Sequence, residues 1–260
     1  SECGALGSTE ACGIPECEKR SGCKVYVTLS TSMNGRNSHK LNRIPENIQR
    51  CGKLGIILAN TSYLPSLNRL ARRCRVLVNL VGPYQTHSGY EIVKACVNAG
   101  TDYLDLSAET QFQRRLIDDF HKRAQTDMRR NVPACGFDSV PFDLSVMVAN
   151  EHVAIIGAGK IERAEVVLRS KWPSATRARV AFSGGTIATL LDVIDRGDPD
   201  GMMDPWFLTT RRGARPRGGS NINLDTRVNL ETGNLNVPMF PTPFINPQIV
   251  HRTQELLVST

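Results

Sequence analysis

An uninterrupted run of strand-forming residues, Arg75-Val76-Leu77-Val78-Asn79-Leu80-Val81, stops abruptly at Gly82-Pro83-Tyr84. Such a run suits a strand covered by helices on both faces of a parallel sheet. Proline cannot continue the hydrogen-bond ladder, so Gly82-Pro83 turns the chain at the strand's C-terminal end. In open α/β sheets that edge holds the ligand. The simpler alternative is a core strand ending in an ordinary turn.

The residues that follow favour the α/β reading. Ser88 to Ala99 places apolar residues at helical spacing and ends at Gly100, a helix stop. A second strand is predicted over Tyr103 to Leu106, which completes a right-handed strand–helix–strand unit. Glu109 to Arg130 reads as a longer helix with Phe112, Leu116, Ile117, Phe120 and Ala124 on one face. It leads through Val132 to Cys135 into Gly136-Phe137-Asp138-Ser139-Val140-Pro141. Upstream, Val25 to Leu29 and Gly55 to Ala59 read as further strands, and the pattern changes beyond residue 140. There Ala164 to Ser170, with Val166 to Leu168 at its centre, reads as a strand, and Ser183-Gly184-Gly185-Thr186 opens a helix through Ile194. Residues 197 to 245, rich in Gly, Pro, Asn and Arg, read as long excursions. The expected architecture is a doubly wound parallel sheet of Rossmann type over residues 1–137 and a partial α+β domain over 138–260.

Several phrases taken in order carry a family resemblance. They are Asn34-Gly35-Arg36-Asn37 with Lys40-Leu41, Leu58 to Ser62, Val78 to Tyr84, Val93 to Cys96, Gly100 to Asp105, Glu109 to Phe112, Gly136 to Pro141, and Phe182 to Thr186. Through these the chain resembles the saccharopine-dehydrogenase-like oxidoreductases, a group that includes the trans-acting enoyl reductases of lipid biosynthesis. The resemblance implies a nicotinamide dinucleotide as cofactor and hydride transfer to or from a hydrophobic or lipid-derived substrate. A non-catalytic interaction or scaffold protein that kept the fold and lost the cofactor is the alternative from another class. Family members extend further at the C-terminus, so the second domain is expected to be incomplete.

Gly4-Ala5-Leu6-Gly7-Ser8-Thr9-Glu10 resembles the family's glycine turn, which makes Gly4 and Gly7 cofactor-binding candidates. Glu10 stands where the family has a third glycine, and only three residues precede Gly4. The first, central strand of the sheet is therefore expected to be missing, and cofactor binding to be impaired. A second glycine phrase, Gly157-Ala158-Gly159, lacks a following helix and reads as a loop. Arg36, with Asn37 beside it, follows the apolar stretch at Val25 to Met33, where no acid is available for a ribose hydroxyl. An arginine there suits a 2′-phosphate and points to NADP, with NAD as the second choice. By family position Asn60 and Thr61 touch the adenine. Val81, Gly82, Pro83 and Tyr84 would wall the nicotinamide on one side, and Phe137, Asp138 and Ser139 would line the substrate side, both in one pocket. Gly184, Gly185 and Thr186 would offer a helix N-terminus to an anionic group. Tyr84 is the candidate proton donor, with a purely packed role as its alternative; Asp138 is read as capping the helix near Pro141, and His87 as a solvated loop histidine.

A formal net charge of +7 admits nucleic acid, an anionic membrane surface or a phosphorylated cofactor. The basic residues are scattered except at Arg129-Arg130 and in Arg211 to Arg217, so no nucleic-acid partner is expected, while peripheral membrane association and a homodimer stay open. The eight cysteines show no zinc-ribbon spacing and read as reduced and structural, with no metal site. With neither a signal-peptide pattern at Ser1 to Gly4 nor a run of eighteen apolar residues read in the sequence, the protein is expected inside the cell, in the cytoplasm or at the cytosolic face of a membrane.

Overall fold

The computed structural model describes residues 2–7, 24–30, 55–168, 191, 195, 204–210, 224–229, 233, 235–236, 238 and 241–259. The chain divides into two compact units, Ser1–Cys135 and Gly136–Thr260.

The first unit is built on a six-stranded sheet. Its strands are β1 (Glu2–Gly7), β2 (Lys24–Ser30), β3 (Gly55–Ala59), β4 (Val76–Leu80), β5 (Asp102–Asp105) and β6 (Asn131–Val132). All pair in parallel, in the order β3-β2-β1-β4-β5-β6. This is the Rossmann order, and the direction of winding reverses between β1 and β4.

The expectation of a missing first strand is corrected by β1, which is central. Gly4 faces Tyr26 on one side and Leu77 on the other. Two glycines in six residues give the segment little strand propensity of its own, and pairing on both edges overrides it. The same placement puts Gly4 and Gly7 inside the strand rather than in a turn.

The helices α1 (Leu64–Ala71), α2 (Gly89–Ala99) and α3 (Thr110–Thr126) link successive strands from β3 onward. Pro65 sits in the first turn of α1, where its missing N–H costs nothing, and Leu67, Leu70 and Ala71 are its buried face. Helix α2 ends as expected at Gly100, whose φ of 67° is a left-handed conformation that a Cβ would strain. The face predicted for α3 is buried at Phe112, Leu116, Phe120 and Ala124, with Gln113 alongside and Ile117 half-buried. Helix α3 stops at Thr126, short of Arg130. The Asp102 carboxylate accepts the Arg130 N–H at 3.0 Å, and the Arg130 carbonyl accepts from the Tyr103 N–H at 2.8 Å, which leads the chain alongside β5 into β6.

Burial in β4 alternates rather than covering every residue: Leu77 and Asn79 are fully enclosed, while Val76, Val78 and Leu80 are half-buried. The core gathers Leu67, Leu70, Leu77, Ile92, Val93, Tyr103, Phe112 and Leu116. The free thiols Cys74 and Cys96 lie within it, and burial pushes the Cys96 thiol up, so it behaves as an inert apolar group.

The second unit opens with α4 (Val140–Ile155). Its N-cap is Ser139 rather than Asp138, and no side-chain cap bond is made. Pro141 in the first turn, with φ preset for helix, starts the element without one. Gly157 and Gly159 adopt positive φ in the loop that follows, as expected for a turn. The strand expected around Val166 to Leu168 is absent: residues 164–168 run without regular structure, there being no neighbouring strand among the described residues to pair with them. The excursion over 197–245 contains a short antiparallel pair, β7 (Arg227–Val228) and β8 (Leu235–Asn236), and is cut short by α5 (Thr242–Ser259). This last helix was hidden by Pro241, Pro243 and Pro247. Pro243 falls in its first turn, where proline is tolerated, and Pro247 forfeits one bond four residues later. The Thr253 hydroxyl donates to the Asp143 carboxylate at 2.8 Å and ties α5 to α4.

Candidate cofactor site

The register of the sheet aligns the C-terminal ends of its strands along one edge. Gly7 lies opposite Leu80, and Ser30 opposite Ala59. The segments that leave β3 and β4, Asn60-Thr61 and Val81-Gly82-Pro83-Tyr84, therefore emerge on the same edge as Gly7, the second of them beside the reversal point. Arg36 and Asn37 lie outside the described residues, as do Gly184, Gly185 and Thr186. Phe137, Asp138 and Ser139 begin the second unit, with Phe137 64 % exposed and Ser139 buried.

Asn60 makes a tight local turn. Its Oδ1 accepts the Ser62 N–H at 2.9 Å, and its carbonyl accepts the Ser66 hydroxyl at 3.0 Å, so the loop is fixed against the first turn of α1. An aspartate would accept the same Ser62 bond, and the asparagine does so without adding charge. Thr61 beside it is buried.

The ledge after β4 is held from below by polar side chains that are almost completely enclosed. Asn79 Oδ1 accepts the Val81 N–H at 3.0 Å, and Asn79 Nδ2 donates to the Tyr103 hydroxyl at 3.1 Å. Tyr103 in turn donates to Asp105 Oδ2 at 2.9 Å. Asp105 Oδ1 accepts the N–H groups of Ser107 and Ala134 at 2.9 and 3.0 Å. Burial raises the Asp105 carboxyl above its ordinary pKa, opposed by the Ser107 and Ala134 donors and the Tyr103 hydroxyl. The carboxylate of Glu109 accepts the N–H groups of Tyr84 and Gln85 at 2.7 and 2.9 Å. Every one of these side chains points into protein, so the network shapes the ledge rather than meeting a ligand.

Tyr84 takes the packed role of its two alternatives. Its hydroxyl donates to the Asn79 carbonyl at 3.1 Å and accepts the Leu106 N–H at 3.2 Å, bridging the ends of β4 and β5. Its ring stacks on Phe112 with centroids 5.7 Å apart, and burial drives its pKa well above that of a free phenol. With its single proton already donated to backbone, the phenol is a poor acid for catalysis. His87 is also more than a solvated loop residue: its N–H donates to the Pro83 carbonyl at 2.9 Å, and its Nδ1 lies 3.1 Å from the same oxygen.

The residues present fit a dinucleotide. With the N–H groups of Val81, Tyr84 and Gln85 already bonded to side chains, Val81 and Pro83 are left half-exposed as an apolar border suited to a flat ring. Glycine at the end of β1 allows a phosphate chain to pass close to the backbone. Among the described residues no group of His, Cys, Asp or Glu is placed to hold a metal ion.

The supporting network of Asn79, Tyr103, Asp105, Glu109 and Gln113 escaped sequence reasoning. Its signal was present in the alternation of β4 and β5, where Asn79 falls in phase with Leu77, and Asp105 with Tyr103, on the buried side.

Residues 4–133 match the family model described as the saccharopine dehydrogenase NADP binding domain. The chain belongs to this family. A Mycobacterium tuberculosis protein whose name places it among the trans-acting enoyl reductases is 37% identical over 248 residues, covering 92% of this chain and 56% of that protein. A trans-acting enoyl reductase of Mycobacterium bovis is 36% identical over 202 residues, or 74% of this chain and 46% of its own length. The chain thus spans about half the length of the curated relatives it matches. Among solved structures, apo saccharopine dehydrogenase (L-Glu forming) from Saccharomyces cerevisiae aligns at a TM-score of 0.43 and 19% identity, over 60% of this chain and 32% of that one. No helix among the described residues is long and apolar enough to cross a membrane.

Proposed function

We propose that this chain is an NADP-dependent oxidoreductase that passes hydride to or from a hydrophobic or lipid-derived substrate. The observation that carries the reading is the match of the NADP-binding family model over the residues that form the reversal-point sheet. The bound nicotinamide would supply the hydride, and the protein's task is to hold that ring dry against an electrophilic carbon. Val81 and Pro83 would border it, Arg36 would select the 2′-phosphate, and Asn60 and Thr61 would meet the adenine. Phe137, Asp138 and Ser139 would be the second unit's candidates for touching substrate. The names of the mycobacterial relatives, which call them enoyl reductases, favour an enoyl substrate over an amino acid.

The impairment expected from a missing strand loses its basis now that β1 is in place, while Glu10 still sets a carboxylate where the family has glycine. Titration with NADPH and with NADH, followed by nicotinamide fluorescence, tests the reading. Saturable binding with NADPH tighter than NADH is expected, and tighter still in Glu10→Gly. Absence of binding in both the wild type and Glu10→Gly would favour a scaffold protein that has lost its cofactor.

A further inference from the structure

We infer that Glu109 is a positioning residue that sets the nicotinamide-side wall of the site, an inference that rests on the NADP reading above. Glu109 is the N-cap residue of α3, a place usually taken by a short Ser, Thr, Asp or Asn whose side chain caps the helix, and it makes no such bond. Instead both of its oxygens reach across to the ledge, accepting the N–H groups of Tyr84 at 2.7 Å and Gln85 at 2.9 Å. The residue is 1% exposed. A carboxylate taken this far from water is costly unless donors surround it, so its place and that of the two ledge N–H groups determine each other.

The loop that carries Glu109 is itself fixed. The Gln113 amide donates to the Ser107 carbonyl at 2.8 Å, and the Ser107 N–H is bound to Asp105 at 2.9 Å. The near end of the ledge is pinned by Asn79 through the Val81 N–H. Glu109 pins the far end, leaving Gly82-Pro83 suspended between two rigid points at the sheet edge. This anchor on the Tyr84 N–H comes from a residue 25 positions further along the chain and acts beside the bond of the Tyr84 hydroxyl to the Asn79 carbonyl. Replacing one oxygen by an amide substitutes a donor for an acceptor in front of a backbone N–H, which must move the Tyr84–Gln85 end.

The test separates the nicotinamide half of the cofactor from the rest. Binding of NADPH and of adenosine 2′,5′-bisphosphate, which lacks the nicotinamide, is measured by calorimetry on wild type, Glu109→Gln and Glu109→Asp, with melting temperatures alongside. In Glu109→Gln, NADPH should weaken about tenfold, the lower worth of a hydrogen bond to a charged group, while the bisphosphate stays within about twofold. Glu109→Asp keeps the charge with a shorter reach and should fall between; it carries the comparison if the glutamine variant does not fold. Equal losses for both ligands, or unchanged NADPH affinity, would overturn the role. Wild-type protein that binds neither ligand overturns the cofactor reading itself, and this inference with it.

Discussion

Deleting one hydroxyl, in Tyr103→Phe, should cost about 2–4 kcal/mol of stability in the sheet unit, because it strands a buried donor and weakens the solvation of a buried carboxylate. The side chain is wholly enclosed. Its oxygen accepts from Asn79 Nδ2 at 3.1 Å and donates to Asp105 Oδ2 at 2.9 Å. Phenylalanine preserves the ring and its packing, so no sizeable cavity opens and the loss is polar. An unsatisfied buried amide hydrogen costs about 1–3 kcal/mol, and a carboxylate oxygen deprived of one donor a similar amount. Asp105 keeps its bonds from Ser107 and Ala134, which holds the sum below the upper limit. Urea unfolding followed by circular dichroism measures it, with Tyr90→Phe as control. The Tyr90 hydroxyl donates to Asp119 at 2.7 Å on the surface, where water replaces the lost partner and the change should stay under about 1 kcal/mol. A Tyr103→Phe loss no larger than that of Tyr90→Phe, at unchanged denaturant slope, would refute the claim that the buried chain of bonds from Asn79 to Asp105 stabilises the ledge.

The elements whose local preferences agree with their tertiary setting were readable from sequence, and the exceptions each have a neighbour to blame. Strand β3 and the body of α2 fall where the apolar run Gly55 to Ala59, helical spacing and Gly100 put them. Strand β1 went unread because its stability comes from pairing with β2 and β4, which a window of six residues with two glycines cannot reveal. The strand read at Val166 to Leu168 is the converse, a strong local propensity with no described partner to realise it. Helix α5 was masked by prolines that weigh against a helix in any propensity count, although Pro243 sits in the first turn, where it is tolerated, and only Pro247 lies in the interior. For the site, the ledge at Val81 to Tyr84 was visible as a strand-breaking phrase. Its fastening to Glu109 was not, because a contact over 25 residues leaves no periodic trace. The role of Tyr84 turned on the same limit: sequence shows a phenol near a sheet edge, and only the positions of the Asn79 carbonyl and Leu106 N–H show where its proton goes.

Three further perturbations test the arrangement. Arg36→Ala should weaken NADPH by about 1.5–3 kcal/mol and leave NADH nearly unchanged, as measured by parallel fluorescence titrations; equal losses would show a role in the fold instead. Gly89→Ala should lower the melting temperature and loosen NADPH together, since a Cβ there would lie 2.6 Å from the Tyr84 carbonyl oxygen, a backbone atom fixed by the Gly89 N–H at 2.8 Å. The last concerns Asp105. Burial raises its folded-state pKa above the ordinary 3.8, so on raising the pH the unfolded carboxyl ionises first. Between the two pKa values the folded protein holds a proton that the unfolded chain has released, and stability must fall as pH climbs through that window. Asp143, also raised by burial, adds a slope of the same sign. Asp105→Asn removes only the first contribution. The stability of wild type relative to Asp105→Asn should therefore be highest below the unfolded value of 3.8 and decline as pH rises through it, levelling once Asp105 is ionised in both states. A relative stability that instead grew with pH would mean that the Ser107, Ala134 and Tyr103 donors outweigh desolvation, and that the network binds the carboxylate in preference to the acid.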